Sequence, residues 1–400
     1  MVWPFSRSTP HVSSPIERIV EGRLAQPSVF RHQARGTVQI EAGLAGAFTI
    51  HLSPDRPRIE RGRISSPTAT VEGDADTMIG VLEGTFPGLD AFFAGKLAVR
   101  GNVGLALKLD LFYPPPRLSP HAPRPGIRTV AGIETFYLEA GPRDGPPVVF
   151  LHGLGATNVS MLPTFVALCR DHRVIAPDLP GFGETGKPLR VEYGFAFFTR
   201  WLVAFLDALL IERASLVGNS MGGRISLECG LRHPERVDRL VLLAPSMAWR
   251  SYRQLAPLAR LLRPEMALVP IPLLRAQVLL TLRSLFVTAV PSAWIDAAVD
   301  EFLHVFSSAR GRIAFFAAAR QIYLEDPHGE QGFWDRLARL QAPSLFVWGE
   351  RDWLVPKAFA RHTADAVPHA TSVVLDACGH VPQYDAADRV NALVRSFLAP

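Results

Sequence analysis

A serine hydroxyl is a weak nucleophile until a base takes its proton and a carboxylate orients that base. Three residues of this sequence could form such a set: Ser220 in Gly218-Asn219-Ser220-Met221-Gly222, Asp352 in Gly349-Glu350-Arg351-Asp352, and His380 in Ala377-Cys378-Gly379-His380. The run Ala214–Val217 leads directly into this glycine-flanked motif, and a helical stretch over Gly222–Arg232 follows. A strand–turn–helix passage of this kind strains the serine and presents its hydroxyl at a helix N-terminus, where free N–H groups favour developing negative charge. The flanking glycines let neighbouring backbone approach without a Cβ clash.

The other two candidates follow apolar runs in the same way. Asp352 comes just past Ser344–Trp348, and His380 just past Ser372–Leu375. His380 follows Asp352 by 28 positions, a span that holds one βα unit and brings both loops out on one sheet edge. Rival acids are Asp376, four positions before His380 at the end of its strand, Glu350, and Asp326. Asp352 is preferred over all three. An oxyanion site is also needed. The run Val148–Leu151 ends in His152-Gly153-Leu154-Gly155, a turn able to aim backbone N–H groups. The N–H groups of Leu154 and Met221 are the expected donors, and one such donor is typically worth about 3–4 kcal/mol in the transition state. His152 precedes the turn and lacks a carboxylate partner, so it reads as structural.

The elements that must position these residues alternate. Val148–Leu151, Val174–Ala176, Ala214–Val217, Leu240–Leu243, Ser344–Trp348 and Ser372–Leu375 read as buried strands. Helical stretches at Phe195–Leu210, Gly222–Arg232, Phe359–Val367 and Ala386–Leu398 separate them. Near-continuous apolar strands alternating with helices imply a mostly parallel, doubly wound α/β sheet covered on both faces. From about 247 to 340 the rhythm breaks into helical stretches without strand signals, as expected of a cap over the site. Its segment LLRAQVLLTLRSLFVTAV, 273–290, carries Arg275 and Arg283 and is bounded by prolines. That is too interrupted for a membrane span, so a buried lid helix lining an apolar pocket is expected.

Upstream, the run YPPPRLSPHAPRPG holds six prolines and can join neither a helix nor a central strand. It predicts a linker over 114–127 between a small domain, 1–113, and a larger one, 128–400. In the small domain, 36–51 reads as two strands around a Gly-Leu-Ala-Gly turn, and 67–83 as a strand followed by a helix capped at Asp74 or Asp76. Leu97 and Val99 then mark a strand, and Leu105 and Leu107 a final apolar helix.

Composition narrows the partners. Of the 400 residues 48% are hydrophobic and 20% charged, and the net charge of +5 is scattered. No basic stripe interleaved with aromatics suggests nucleic acid. The mild positive balance leaves room for peripheral contact with an anionic membrane. Three well-separated cysteines, Cys169, Cys229 and Cys378, form neither a disulfide framework nor a metal site, which fits a reducing compartment. The first ten residues lack the apolar core of a signal peptide. A cytoplasmic protein without metal or cofactor is expected, and its oligomeric state stays open.

Taken in order, HGLG, DLPGFGETGKP at 178–188, GNSMGG, GERD and GH make residues 128–398 resemble the α/β-hydrolase family. The resemblance implies the order Ser, Asp, His found here, and leaves Asp178 as a residue that shapes a loop near the site. A serine at position 220 argues against the relatives that use an aspartate nucleophile. Residues 17–113 resemble the sterol carrier protein 2 family in VEGDADTMIGVLEG, AFFAGKLAVRGN and the apolar final helix, with Asn102 where Asp is common. That resemblance implies a small α+β domain with an apolar tunnel for sterols, fatty acids or acyl-CoA. The combined expectation is a serine hydrolase of hydrophobic carboxylic esters with a lipid-binding module. The alternatives are a carbon–carbon bond hydrolase using the same triad, and a non-catalytic lipid carrier.

Overall fold

The computed structural model describes residues 14–116, 123–249, 263–268, 273–330 and 332–399. Residues 1–13, 117–122 of the expected linker, and 250–262 and 269–272 of the expected cap lie outside the described residues. The chain forms two compact units. The first runs to about residue 119, and the second takes up 102–104 and everything from residue 120 onward.

In the first unit, α1 (Pro15–Leu24) starts at a capping box: the Ser14 hydroxyl accepts the Glu17 N–H, and the Glu17 carboxylate accepts the Ser14 N–H. Such reciprocal bonds satisfy amides that a helix start leaves free. β1 (Gly36–Glu41) and β2 (Ala47–Leu52) pair antiparallel around the turn expected from the sequence. β3 (Arg58–Arg61) adds an edge, and β4 (Ala69–Gly73) runs parallel to β1. Asp74 caps α2 (Ala75–Glu83) by accepting the Thr77 N–H at 2.8 Å, which decides between the two cap candidates. α3 (Gly88–Phe93), β5 (Leu97–Gly101) and α4 (Val103–Phe112) complete the unit, with sheet order β3-β2-β1-β4-β5. Val38, Ile40, Phe48, Ile50, Met78, Leu82 and Leu109 are buried in it. α1 and β3 were not legible in the sequence. β3 is short and largely exposed, and α1 is announced only by its cap.

The second unit opens with an antiparallel hairpin, β6 (Arg124–Val130) and β7 (Ile133–Ala140), with Arg124 opposite Glu139. The linker expected over 114–127 therefore ends early, since 124–127 are strand. Pro125 is tolerated because β6 is an edge strand and its missing N–H costs no central ladder bond. β8 (Pro147–Leu151), α5 (Leu162–Leu168), β9 (Arg173–Pro177), α6 (Phe195–Ala208), β10 (Ala214–Asn219), α7 (Met221–Arg232) and β11 (Val237–Leu243) follow.

After β11 the described residues carry helices only until the next strand: α8 (Arg275–Arg283), α9 (Ser292–Ser307), α10 (Ala309–Leu324) and α11 (Phe333–Leu337), besides a short 3-10 turn at Pro264–Leu268. The buried lid helix expected over 273–290 needs correction. α8 is nine residues long, and Val278 is its buried residue while Leu280 is 73% exposed. Arg275 anchors α8 to α9 through Asp296 at 2.7 Å and Asp300 at 3.2 Å. One side of α8 is therefore held and the rest faces outward. Among the described residues no helix is long and apolar enough to cross a membrane.

β12 (Ser344–Gly349), α12 (Ala358–Ala366), β13 (Thr371–Leu375), α13 (Pro382–Asp385) and α14 (Ala387–Leu398) close the chain. The sheet order is β13-β12-β11-β10-β8-β9-β7-β6. β8 through β13 pair parallel, while β7 joins β9 antiparallel. Every residue of β10 and β12 is buried, as strands covered on both faces require. β9 lies on one side of β8 and β10 on the other, so the winding direction reverses between β8 and β10. Ligand sites of open α/β sheets form in the crevice beyond the carboxyl ends at such a switch point. Here those ends carry 152–155 and Ser220.

Candidate active site

Ser220 has φ 52° and ψ −116°, a backbone conformation that costs a non-glycine residue about 1–3 kcal/mol. Its surroundings enforce it. The Ser220 N–H donates to the Leu243 carbonyl at 3.0 Å, and the Ser220 carbonyl accepts the N–H groups of Arg224 at 3.0 Å and Ser246 at 2.9 Å. The glycines of the motif are required by space. A Cβ on Gly222 would lie 2.0 Å from the Leu151 carbonyl oxygen, and one on Gly218 would lie 2.5 Å from the Gly222 carbonyl.

The 152–155 turn lies against this elbow, since a Cβ on Gly153 would sit 3.4 Å from the Ser220 Cβ. Leu154 belongs to that turn, and Met221 opens α7, whose first amides have no partner inside the helix. His152 holds the turn in place. Its Nε2 accepts the Leu179 N–H at 2.9 Å, so Nδ1 carries the proton and donates to the Gly153 carbonyl at 2.8 Å. Burial pushes this imidazole down to about 4, leaving it neutral. Asp178 shapes the next loop by accepting the N–H groups of Asn158 and Glu184, each at 2.8 Å. Its burial pushes it up to about 6. A side chain on Gly183 would strike the Asp178 carboxylate, and its φ of +49° suits glycine.

Asp352 and His380 meet: His380 Nδ1 donates to Asp352 Oδ2 at 2.8 Å, with both residues buried. The other carboxylate oxygen accepts the N–H groups of Leu354 and Val355 at 2.8 Å. Fixed in this way, the carboxylate sets the imidazole tautomer and leaves Nε2 as the basic nitrogen. The rival acids are engaged elsewhere. Asp376 is exposed and pairs with Arg389, Glu350 pairs with Lys357 at 3.3 Å, and Asp326 follows α10. The side chain of Asn219 joins the elbow to the His380 loop by donating to the carbonyls of Leu243 at 2.9 Å and His380 at 3.2 Å.

Two further features were not read from the sequence. Aromatic rings of the helical insertion cover the turn: a Cβ on Gly155 would lie 2.9 Å from the Phe302 ring and 3.0 Å from the Phe315 ring. Phe302, Phe306, Phe315 and Phe316 pack ring to ring. Below the elbow, Arg224 and Glu228 have fully buried side chains 2.8 Å apart. Glu325, Arg336 and Arg232 extend the network. The Arg–Glu spacing of four on α7 was the available signal.

A topological switch point on this strand order, with a strained serine elbow on one strand and a bonded Asp–His pair on two others, is the architecture of an α/β hydrolase. The chain belongs to the α/β-hydrolase fold family, whose model matches residues 146–387, and the SCP-2 sterol transfer family model matches residues 29–111. It is 30% identical over 298 residues to a 2-hydroxymuconate semialdehyde hydrolase of Pseudomonas sp. (strain CF600), covering 71% of this chain and 96% of that one. A serine hydrolase involved in carbazole degradation has a similar solved structure, with TM-score 0.58 and 27% identity over 69% of this chain and 99% of that one. So has a membrane phospholipase A described as a bacterial virulence factor, with TM-score 0.57 and 26% identity over 69% of this chain and 86% of that one. The hydrolase class is therefore shown, and an SCP-2 domain fits hydrophobic small molecules.

Proposed function

We propose that the protein hydrolyses carboxylic esters of hydrophobic, lipid-like substrates through an acyl-enzyme. His380 Nε2 takes the Ser220 proton as Oγ attacks the ester carbonyl, and the N–H groups of Leu154 and Met221 receive the oxyanion. The imidazolium, steadied by Asp352, returns the proton to the leaving alcohol. Water activated by the same nitrogen then releases the acid. The observation carrying this reading is the 2.8 Å Asp352–His380 bond, held against the strained Ser220 elbow through Asn219. The phenylalanine wall over the turn and the SCP-2 domain support an apolar acyl chain. In this reading 1–113 is a lipid-binding module, 247–340 is a cap, and the enzyme works in the cytoplasm with peripheral membrane contact.

A second reading, hydrolysis of a carbon–carbon bond in a vinylogous diketone, is favoured by the 30% identity to the semialdehyde hydrolase. Fluorophosphonate labelling of Ser220 tests both against a non-catalytic carrier. A chain-length series of p-nitrophenyl esters, run beside a ring-opened meta-cleavage compound, separates them. Higher kcat/KM on long esters supports the ester reading, and turnover of the diketone alone overturns it.

A further inference from the structure

Asp385 lies five residues beyond His380, at the end of α13, and takes no part in the triad. Its carboxylate gathers four donors. One oxygen accepts the Gly379 N–H at 2.7 Å, and the other accepts the Thr288 N–H at 3.0 Å and the Thr288 hydroxyl at 2.7 Å. The Val287 N–H lies 3.0 and 3.1 Å from the two oxygens. Gly379 adjoins His380, whereas Val287 and Thr288 belong to the segment that leaves α8.

That segment, 284–288, grips both catalytic loops. The His380 N–H donates to the Leu285 carbonyl at 2.9 Å, and the indole N–H of Trp353, next to Asp352, donates to the Ser284 carbonyl at 2.8 Å. The approach is close, since a Cβ on Gly379 would lie 2.5 Å from the Leu285 oxygen. The base loop itself passes through Ala377 at φ 48°, outside any ladder.

We propose that Asp385 is a positioning residue: it clamps the 284–288 strap of the helical insertion onto the His380 loop and so sets where the base stands. The proposal rests on the reading of His380 as the base. Asp352 fixes the imidazole ring from one side, and the strap and Asp385 fix its backbone from the other. Catalysis is sensitive to such placement, an error of about 1 Å being worth roughly 10²-fold. An asparagine at 385 keeps the shape but replaces one acceptor oxygen with an NH2 group, which must then face N–H donors.

The test uses the full chain as wild type, Asp385→Asn and Thr288→Val. Four properties are compared: the rate of fluorophosphonate labelling of Ser220 across pH, kcat, KM on a p-nitrophenyl ester, and the urea midpoint. Asp385→Asn is expected to label Ser220 and turn over roughly 10- to 100-fold more slowly, with KM little changed and an altered pH dependence. Thr288→Val, which removes one donor, should show a smaller loss in the same direction. Labelling of Asp385→Asn at the wild-type rate across pH, even with a lowered urea midpoint, overturns the clamp alone. If Asp385→Asn does not fold, unchanged labelling of Thr288→Val overturns it. A wild-type chain that is never labelled at Ser220 overturns the triad reading and the clamp together.

Discussion

The guanidinium carbon of Arg224 lies 3.6 Å from the centre of the Phe333 ring, while its nitrogens reach the carboxylates of Glu228 and Glu325. A residue one turn past Ser220 is thereby joined to α11 and to the end of α10. Burial alone would raise Glu228, but Arg224 and Arg336 outweigh it and hold Glu228 down at about 2. Glu325, buried beside that negative charge, is raised instead. The network's charge rests first on Glu228.

Removing that charge leaves the buried Arg224 and the largely buried Arg336 to share Glu325 alone. Glu228→Gln is expected to cost about 3 kcal/mol or more in urea unfolding. Because the folded value lies below the ordinary 4.5, the stability Glu228 adds is present above that pH and is lost as pH falls toward 2. The variant should lack this part of the acid limb. An acid limb identical to wild type would place the charge elsewhere.

The strain at Ser220 separates activity from stability. Both Ser220→Ala and Ser220→Gly should abolish turnover and fluorophosphonate labelling. Glycine accepts a positive φ at no steric cost, so Ser220→Gly should exceed Ser220→Ala in stability by about 1 kcal/mol. Calorimetry of the two variants decides this, and equal melting temperatures would remove the strain argument.

Asp352→Asn should lower kcat by about 10⁴-fold with the fold intact, because the imidazole loses the partner that sets its tautomer. Asp376→Asn, at an exposed residue paired with Arg389, should leave kcat near wild type. The reverse pattern would reassign the acid.

His152→Phe removes the acceptor of the Leu179 N–H and the donor to the Gly153 carbonyl. It should cost about 1–3 kcal/mol and lower kcat through a misplaced oxyanion turn. Wild-type His152 is held neutral in the fold at about 4, against an ordinary 6.5. The unfolded chain therefore binds its proton first, and stability is lost as pH falls from 6.5 toward 4. Melting curves through that window should be flatter for the variant.

If the first domain delivers substrate, residues 120–400 alone should keep full kcat/KM on acetyl esters and lose it on palmitoyl esters, since each methylene left in water costs about 0.8 kcal/mol. The cut must precede Arg124, because β6 begins there. Equal ratios from a chain shown to be folded by circular dichroism would refute delivery.

Ser220, Asp352 and His380 were legible as candidates because each sits in a short motif at the end of an apolar strand, where local spacing carries the meaning. β6 was hidden by its own proline, which reads as linker until the edge position of the strand is known. The length and exposure of α8 depended on Asp296 and Asp300, which no local pattern ties to Arg275. Asp385 and Arg224 also have partners more remote than that, 98 residues away at Val287 and 101 at Glu325, although Glu228 lies only four residues from Arg224. Contacts closed through the third dimension leave no period in the chain.

The edge position of β6 has a mechanical meaning. β6 meets the sheet only through β7, and its first residue, Arg124, faces Glu139 at the open end of the hairpin. Tension arriving along the chain before Arg124 would load that pair first and then Pro125 opposite Leu138, peeling the hairpin one rung at a time toward its 131–132 turn. Serial rupture of this kind takes far less force than shearing β8 or β10 out of the middle. The hairpin would act as a fuse, yielding to tension on the chain just before Arg124 while the strands that carry Ser220, Asp352 and His380 stay in register.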